Sequence, residues 1–105
     1  MSVFDLKATT STASFKIAWQ HFGAALAAVS PATELSPVCA RVSGSGYDTD
    51  ATRRQSFMTT IAFPDAAEAD RVWSVIEDSA SPLNTAHVAM LRLTRNQLFS
   101  FWAGD

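Results

Sequence analysis

The clearest pattern along the chain is a stripe of large apolar residues in its first third. The stripe consists of Phe15, Trp19, Phe22, Leu26 and Val29. Steps of four, three, four and three residues match the 3.6-residue turn of an α-helix, so the stripe predicts a helix. Ser30 and Pro31 follow at once, and proline cannot continue the hydrogen-bond ladder of a helix. The helix is therefore expected to end there.

Short strands are predicted on either side of this helix. Residues 3–8 alternate weakly between apolar and polar positions and predict a first strand. Residues 38–42 alternate with a period of two, which is typical of a strand. In this second strand the inward positions are Val38, Ala40 and Val42.

A third strand is predicted over residues 54–63, and the glycines and aspartates of residues 44–50 predict a hairpin loop before it. One face of the third strand carries Phe57, Thr59, Ile61 and Phe63. Because three of these four residues are large and apolar, that face is expected to lie against the core.

The second helix has the strongest local signal in the sequence. Asp65 follows Pro64, and Glu68 stands three residues later, which is a variant of the capping box at a helix N-terminus. The apolar stripe behind this cap consists of Ala69, Val72, Trp73 and Ile76. The pattern predicts a helix that buries this stripe and ends at residues 81–84.

The last part of the chain is predicted as two strands, residues 87–93 and 98–102, joined by a turn at residues 94–97. The terminal strand has large apolar residues on both faces. Phe99 and Phe101 share one face, and Leu98 and Trp102 share the other. Such a strand needs cover on both sides, which favours a partner subunit or a bound apolar ligand.

The predicted order is strand, helix, strand, strand, helix, strand, with an extra C-terminal strand or strand extension. This order resembles the ferredoxin-like α+β sandwich, and the size is similar to members of the dimeric α+β barrel superfamily. The resemblance implies a single βαββαβ domain over residues 1–105, with two helices on one face of an antiparallel sheet. It also implies a homodimer. Members of that superfamily include cofactor-independent monooxygenases, haem-degrading enzymes and isomerases.

Composition narrows the possible partners and compartments. The 105 residues are 48% hydrophobic and 17% charged, with a net charge of −2. The only adjacent basic pair is Arg53 and Arg54, so no nucleic-acid partner is expected. The single Cys39 cannot form an internal disulfide, which favours a cytoplasmic location and a buried or interface thiol. No apolar run is long enough for a membrane span, so no membrane association is expected.

Candidate catalytic residues are His87 and Arg92, both in the strand predicted over residues 87–93. There an imidazole could deprotonate a substrate and a guanidinium could polarise it. Arg41 is a further strand arginine that would line the interior of a barrel dimer. The candidate ligand-pocket or interface residues are Trp73, Met90, Phe99, Phe101 and Trp102. Two separated histidines and one cysteine lack the spacing of a metal site, and neither a metal nor a cofactor is expected.

Two functional hypotheses follow from these patterns. The first is a homo-oligomeric binding or interaction module, favoured by the low charge, the two-faced terminal strand and the absence of a catalytic motif. The second is a cofactor-independent monooxygenase-like enzyme of the dimeric α+β barrel type, acting on a small apolar or aromatic substrate. The character of the open face of the sheet distinguishes them, since an enzyme needs a cavity that holds His87 or Arg92.

Overall fold

The computed structural model describes residues 1–42 and 55–103. Its elements are β1 (Ser2–Leu6), α1 (Thr12–Val29), β2 (Glu34–Leu35), β3 (Cys39–Ala40), β4 (Phe57–Thr59), β5 (Ile61–Ala62), α2 (Ala66–Glu77), α3 (Pro82–Leu91) and β6 (Thr94–Phe99). The predicted hairpin loop at residues 44–50, and Arg53 and Arg54 after it, lie outside the described residues.

The strands form two antiparallel sheets. In the larger sheet the neighbours run in the order β3, β4, β1, β6, and β2 pairs with β5 in the smaller sheet. The predicted α+β class with an antiparallel sheet is confirmed. The βαββαβ order is not reproduced as such, because two predicted strands are each divided and a third helix precedes the last strand.

The interruption of the two middle strands has a local cause. Ser36 lies between β2 and β3, and Pro37 behind it has no N–H to donate to a sheet. The Ser36 N–H donates to the Thr60 carbonyl over 2.9 Å, and the Thr60 N–H donates to Ser36 Oγ over 2.8 Å. A side-chain oxygen thus replaces a backbone carbonyl at this point, which separates β2 and β5 from the larger sheet.

The helix predicted from the first apolar stripe is confirmed as α1. Ser11 caps its N-terminus by accepting a hydrogen bond from the Ser14 N–H over 3.0 Å. Its buried residues are Phe15, Trp19, Phe22 and Leu26. These four side chains belong to the hydrophobic core together with Phe4 of β1. Phe4 faces α1, with ring centroids 4.8 Å apart between Phe4 and Phe15.

The capping box of the second helix is also confirmed. Asp65 accepts the Glu68 N–H over 2.8 Å at the N-terminus of α2. The stripe behind it is buried at Ala69, Val72 and Ile76. The prediction that Trp73 lies in the core is wrong, since Trp73 is 51% exposed.

A polar cluster joins the end of α1 to the start of α2. The fully buried Ser30 donates from Oγ to Glu68 Oε2 over 3.0 Å. Arg71 pairs with Glu68 and donates from Nη2 to the Val29 carbonyl over 2.7 Å. The hydrogen bond from Arg71 is the main cause that lowers the pKa of Glu68 below its usual value. These contacts hold the two helices at a fixed distance.

The strand predicted over residues 87–93 is wrong, because this part of the chain belongs to α3. Ser81 caps the helix by accepting the Asn84 N–H over 3.0 Å, and Pro82 occupies its first turn. Proline is well suited to that position, because its fixed φ angle fits a helix and its missing N–H is not needed there. Residues 81–84 therefore begin a third helix instead of ending the second. Leu83 and Met90 are its buried residues.

The last strand begins earlier than predicted, since residues 94–97 are part of β6 and not a turn. This strand pairs with β1, with Leu6 opposite Thr94 and Ser2 opposite Phe99. The prediction of a strand over residues 98–102 is wrong beyond Phe99. Backbone hydrogen bonds of 2.8 and 2.9 Å between Met1 and Ser100 continue the pairing by one position.

The prediction that Val42 faces inward is wrong as well. Val42 follows the short strand β3 and is 72% exposed, whereas Val38 packs against the core. The predicted inward face of the next strand is confirmed, because Phe57, Ile61 and Phe63 pack against the core and Thr59 is buried. Within the described ranges, no helix combines the length and hydropathy needed to cross a bilayer.

Candidate functional site

An apolar cavity of about 360 Å³ lies between the sheet and the three helices. The strands of the two sheets contribute Phe4, Thr59 and Ile61, and the helices contribute Phe15, Trp19, Trp73, Ile76, His87 and Met90. Gln97, Phe99 and Phe101 line it from the last strand and the segment after it. The cavity is therefore built from every layer of the fold.

The lining residues divide into a floor and a rim. Phe4, Phe15 and Trp19 form the floor, and each is at most 7% exposed. Phe99 and Phe101 belong to the rim, at 60% and 71% exposed. Exposed aromatic residues beside a buried aromatic floor are typical of a ligand-binding cleft.

His87 lies in the wall of this cavity between two aromatic rings. Its ring centroid is 5.6 Å from that of Phe22 and 6.2 Å from that of Trp73, which it meets edge-on. Burial among these rings lowers the pKa of His87 below its usual value. Its side chain makes no hydrogen bond within the part of the chain that the structure describes. The imidazole is therefore neutral at pH 7 and accessible to a molecule in the cavity.

The lowered pKa of His87 predicts a loss of stability in mild acid. An unfolded histidine binds a proton as the pH falls through about 6.5, whereas His87 in the folded protein does so only at lower pH. The free energy of unfolding should therefore decrease as the pH is lowered below about 6.5. Replacing His87 with leucine should remove this contribution, and urea unfolding of both proteins between pH 7.5 and 5 measures it.

Met90→Leu is the matched control for this experiment, because it changes the same cavity without removing a titratable group. We expect Met90→Leu to keep the wild-type pH dependence and His87→Leu to become relatively more stable as the pH falls. An equal pH dependence in all three proteins would contradict a lowered pKa of the half-buried His87 imidazole.

Besides His87, the polar residues that line the cavity are Ser2, Thr59, Thr94, Gln97 and Ser100. Thr94 is bonded within the protein, since its Oγ1 donates to the Leu91 carbonyl over 2.8 Å. Gln97 donates from Nε2 to Thr94 Oγ1 over 2.5 Å and to the Leu91 carbonyl over 3.4 Å. These bonds attach the Gln97 side chain to the C-terminal end of α3.

The structure brings together most of the residues that the sequence suggested for a site. Trp73, Met90, Phe99 and Phe101 all line the cavity with His87. His87 reaches it from a helix, however, and not from a strand as predicted. The neighbouring floor residues Phe4, Phe15 and Trp19 were interpreted only as core, because their apolar spacing is the same for a core and for a cavity wall.

The other two predicted site residues lie elsewhere. Arg92 is exposed at the C-terminal end of α3, where its N–H donates to the Val88 carbonyl over 3.1 Å, and it does not line the cavity. Trp102 is 76% exposed, and its indole N–H donates to Ser100 Oγ over 2.8 Å. Arg41 follows β3 directly, and its N–H donates to the Ser56 carbonyl over 2.7 Å.

The face of the sheet opposite the helices forms a second apolar surface. The register places Cys39, Met58, Val3 and Leu98 side by side across four strands. Side chains alternate along a strand, so this row points away from Phe4 and the helices. Leu98 at the edge of the row is 60% exposed, whereas Cys39 and Met58 are half-buried and Val3 is 7% exposed. The two faces of the terminal segment therefore belong to different surfaces. Phe99 lines the cavity, and Leu98 lies on the open face of the sheet.

Among residues 1–42 and 55–103, no group of three or more His, Cys, Asp or Glu side chains is arranged to hold a metal ion. The sequence matches no protein-family model, and no curated protein or solved structure shows significant similarity to it. The geometry of the cavity and of the open face is therefore the basis for functional inference.

Proposed function

We propose that this protein is a binding module that holds a small apolar ligand in the cavity between its sheet and its helices. The observation that supports the proposal is the aromatic cavity of about 360 Å³ with its buried floor and exposed rim. Removing apolar surface from water is favourable by about 25 cal/mol of free energy per Å². An apolar ligand in the cavity would remove the surface of the cavity walls from water and would bind for this reason.

The size and charge of the cavity define the kind of ligand. Natural ligand pockets have volumes of roughly 300–1,000 Å³. A cavity of about 150 Å³ in another protein holds one benzene ring, so this cavity is suited to about two fused rings. No Lys, Arg, Asp or Glu lines it within the described residues. A charged ligand would lose its hydration without gaining an ionic partner, which favours a neutral one.

The alternative proposal is a cofactor-independent monooxygenase-like enzyme that acts on a small aromatic substrate. The observation that favours it is His87, a neutral imidazole in the cavity wall that could act as a general base. Arg92 does not support it, since this residue lies outside the cavity. Oxygen uptake on addition of 2-naphthol, lost in His87→Leu, would favour the enzyme. Binding without oxygen uptake would favour the binding module.

We further propose a ferredoxin-like topology and a homodimer. β2 and β3 can be counted as one interrupted second strand, and β4 and β5 as one interrupted third strand. The four strands then lie in the order fourth, first, third, second, which is the order of a ferredoxin-like sheet. The apolar row that ends at Leu98 supports a second copy as the occupant of the open face.

Blocking the cavity tests the proposed ligand binding. Ile61 lines the cavity from β5 and is half-buried, so Ile61→Phe adds volume inside it. Wild-type protein should bind naphthalene with a dissociation constant in the micromolar range. Ile61→Phe should weaken that binding by at least about tenfold, because overpacking the site costs on the order of 1–3 kcal/mol. Isothermal titration calorimetry measures both affinities.

Ile17→Phe is the matched control, since Ile17 is 54% exposed on α1 and does not line the cavity. This variant should bind naphthalene as the wild type does. Equal affinities in Ile61→Phe and the wild type, or no binding by the wild type at millimolar protein concentration, would contradict the proposal.

A further inference from the structure

The last strand contains a β-bulge beside the cavity. Asp5 is opposite Arg95 and Val3 is opposite Leu98, so two residues of β6, Asn96 and Gln97, oppose one residue of β1. Asn96 has a φ angle of 57°, in the left-handed region that asparagine tolerates better than most residues. One extra residue in a strand changes which face every later side chain occupies.

This change of face brings Gln97 to the cavity. Arg95 lies opposite Asp5, on the open side of the sheet. In a regular strand Gln97 would share that side, because side chains alternate with a period of two. The bulge instead places Gln97 among the cavity-lining residues, and Phe99 with it. Bulges recur beside functional sites for this reason, since they redirect a side chain without breaking the sheet.

Contacts on both sides hold the bulge in place. The Asn96 Nδ2 donates to Asp5 Oδ2 over 3.2 Å, and the Gln55 Nε2 donates to the Asn96 carbonyl over 3.1 Å. The side chain of Asp5 also accepts the Ser56 N–H over 2.9 Å. The Asn96 segment is therefore held by Asp5 of β1 and by Gln55, which precedes β4. These contacts fix the position of Gln97, the next residue.

The orientation of the Gln97 amide leaves one atom for a ligand. Its Nε2 is used by Thr94 and by the Leu91 carbonyl. Its Oε1 accepts no hydrogen bond from any residue that the structure describes. No buried side-chain N or O atom among the described residues lacks a hydrogen-bond partner, so this oxygen is accessible from solvent and can accept a donor from a ligand.

We propose that Gln97, placed at the cavity by the bulge at Asn96, is the specificity residue of the site, and that the ligand is a neutral two-ring aromatic with one hydrogen-bond donor. The donor is a hydroxyl or a ring N–H that bonds to Gln97 Oε1 while the rings lie among Phe15, Trp19 and Phe99. This inference rests on the proposed ligand binding and specifies the ligand class. A carboxylate on the same rings is disfavoured, because Oε1 would face it as a second acceptor.

Three probes of the same size test this inference by isothermal titration calorimetry at pH 7: naphthalene, 2-naphthol and 2-naphthoate. Wild-type protein should bind 2-naphthol about fivefold more tightly than naphthalene, which is the effect of one hydrogen bond. It should bind 2-naphthoate at least about tenfold more weakly than 2-naphthol. In Gln97→Leu and Gln97→Met the preference for 2-naphthol over naphthalene, measured as the ratio of the two dissociation constants, should disappear.

The outcomes separate this inference from the proposed function. Equal binding of 2-naphthol and naphthalene by the wild type would overturn the role of Gln97 and leave the binding module intact. No binding of any probe would overturn both. A preference that persists in both Gln97 variants but is lost in His87→Leu would assign recognition to His87 and overturn the inference. Naphthalene binding by a variant shows that the variant is folded. If Gln97→Leu is unstable, the comparison of the probes is made with Gln97→Met alone.

Discussion

Replacing Phe22 with alanine should lower the free energy of unfolding by about 3–5 kcal/mol. Phe22 is fully buried in the middle of α1, with its ring centroid 5.6 Å from that of Trp19 and 5.6 Å from that of His87. It supports the cavity from behind and does not line it. Truncation would leave a void between α1 and α3, beside Trp19 and His87. A small domain has a total stability of about 5–15 kcal/mol, so this loss is a large part of it.

Urea unfolding followed by far-ultraviolet circular dichroism measures this effect at a fixed protein concentration. Ile17→Ala is the control on the same helix, because Ile17 is 54% exposed. It should cost less than about 1 kcal/mol, since alanine favours a helix and little packing is lost. A cost below about 1 kcal/mol for Phe22→Ala would show that α1 packs by another face.

Leu98→Asp should convert a dimer into a monomer. Leu98 is 60% exposed at the end of the apolar row on the open face. If a second copy covers this face, an aspartate would be buried without a partner in both protomers, at a cost of several kcal/mol for each charge. Leu98 does not line the cavity, so this variant should retain the wild-type affinity for naphthalene.

Light scattering coupled to size-exclusion chromatography measures this change directly. The wild type should elute with twice the chain mass of 11.3 kDa, and Leu98→Asp with a single chain mass. Ala24→Asp, on the exposed side of α1, is the control and should remain dimeric. A wild-type protein that is monomeric at 100 μM, and as soluble as Leu98→Asp, would contradict the proposed dimer.

The sequence predicted the elements whose signals are local. For α1 and α2, the apolar spacing and the capping residues Ser11 and Asp65 lie within a few residues of the structure that they specify. The α+β class follows from these helices and the alternating segments between them. For α3 a local signal was present as well, in Ser81 followed by Pro82, but the same residues are also typical of the end of a helix.

The candidate site was predicted only in part, for a physical reason. The aromatic residues near the C-terminus predicted a surface that contacts a partner or a ligand, and Phe99 and Phe101 line the cavity. The sequence placed His87 and Arg92 on one strand, whereas the turn of α3 separates them. Residues five apart lie on opposite faces of a strand and about 140° apart around a helix, so neither element brings Arg92 to the same side as His87. The error in the type of element changed how His87 reaches the cavity, from a helix instead of a strand.

The sequence alone determined the helices α1 and α2 and most of the apolar residues that they bury, because apolar periodicity and end caps act over a few residues. It also determined that the terminal segment carries apolar side chains on both faces. Only the tertiary structure decided where those faces point. The bulge at Asn96 arises from pairing with β1 about 90 residues earlier, and it assigns Gln97 and Phe99 to the cavity and Leu98 to the open face. No local pattern encodes a long-range register, because alternation specifies which side chains share a face but not which face meets the core.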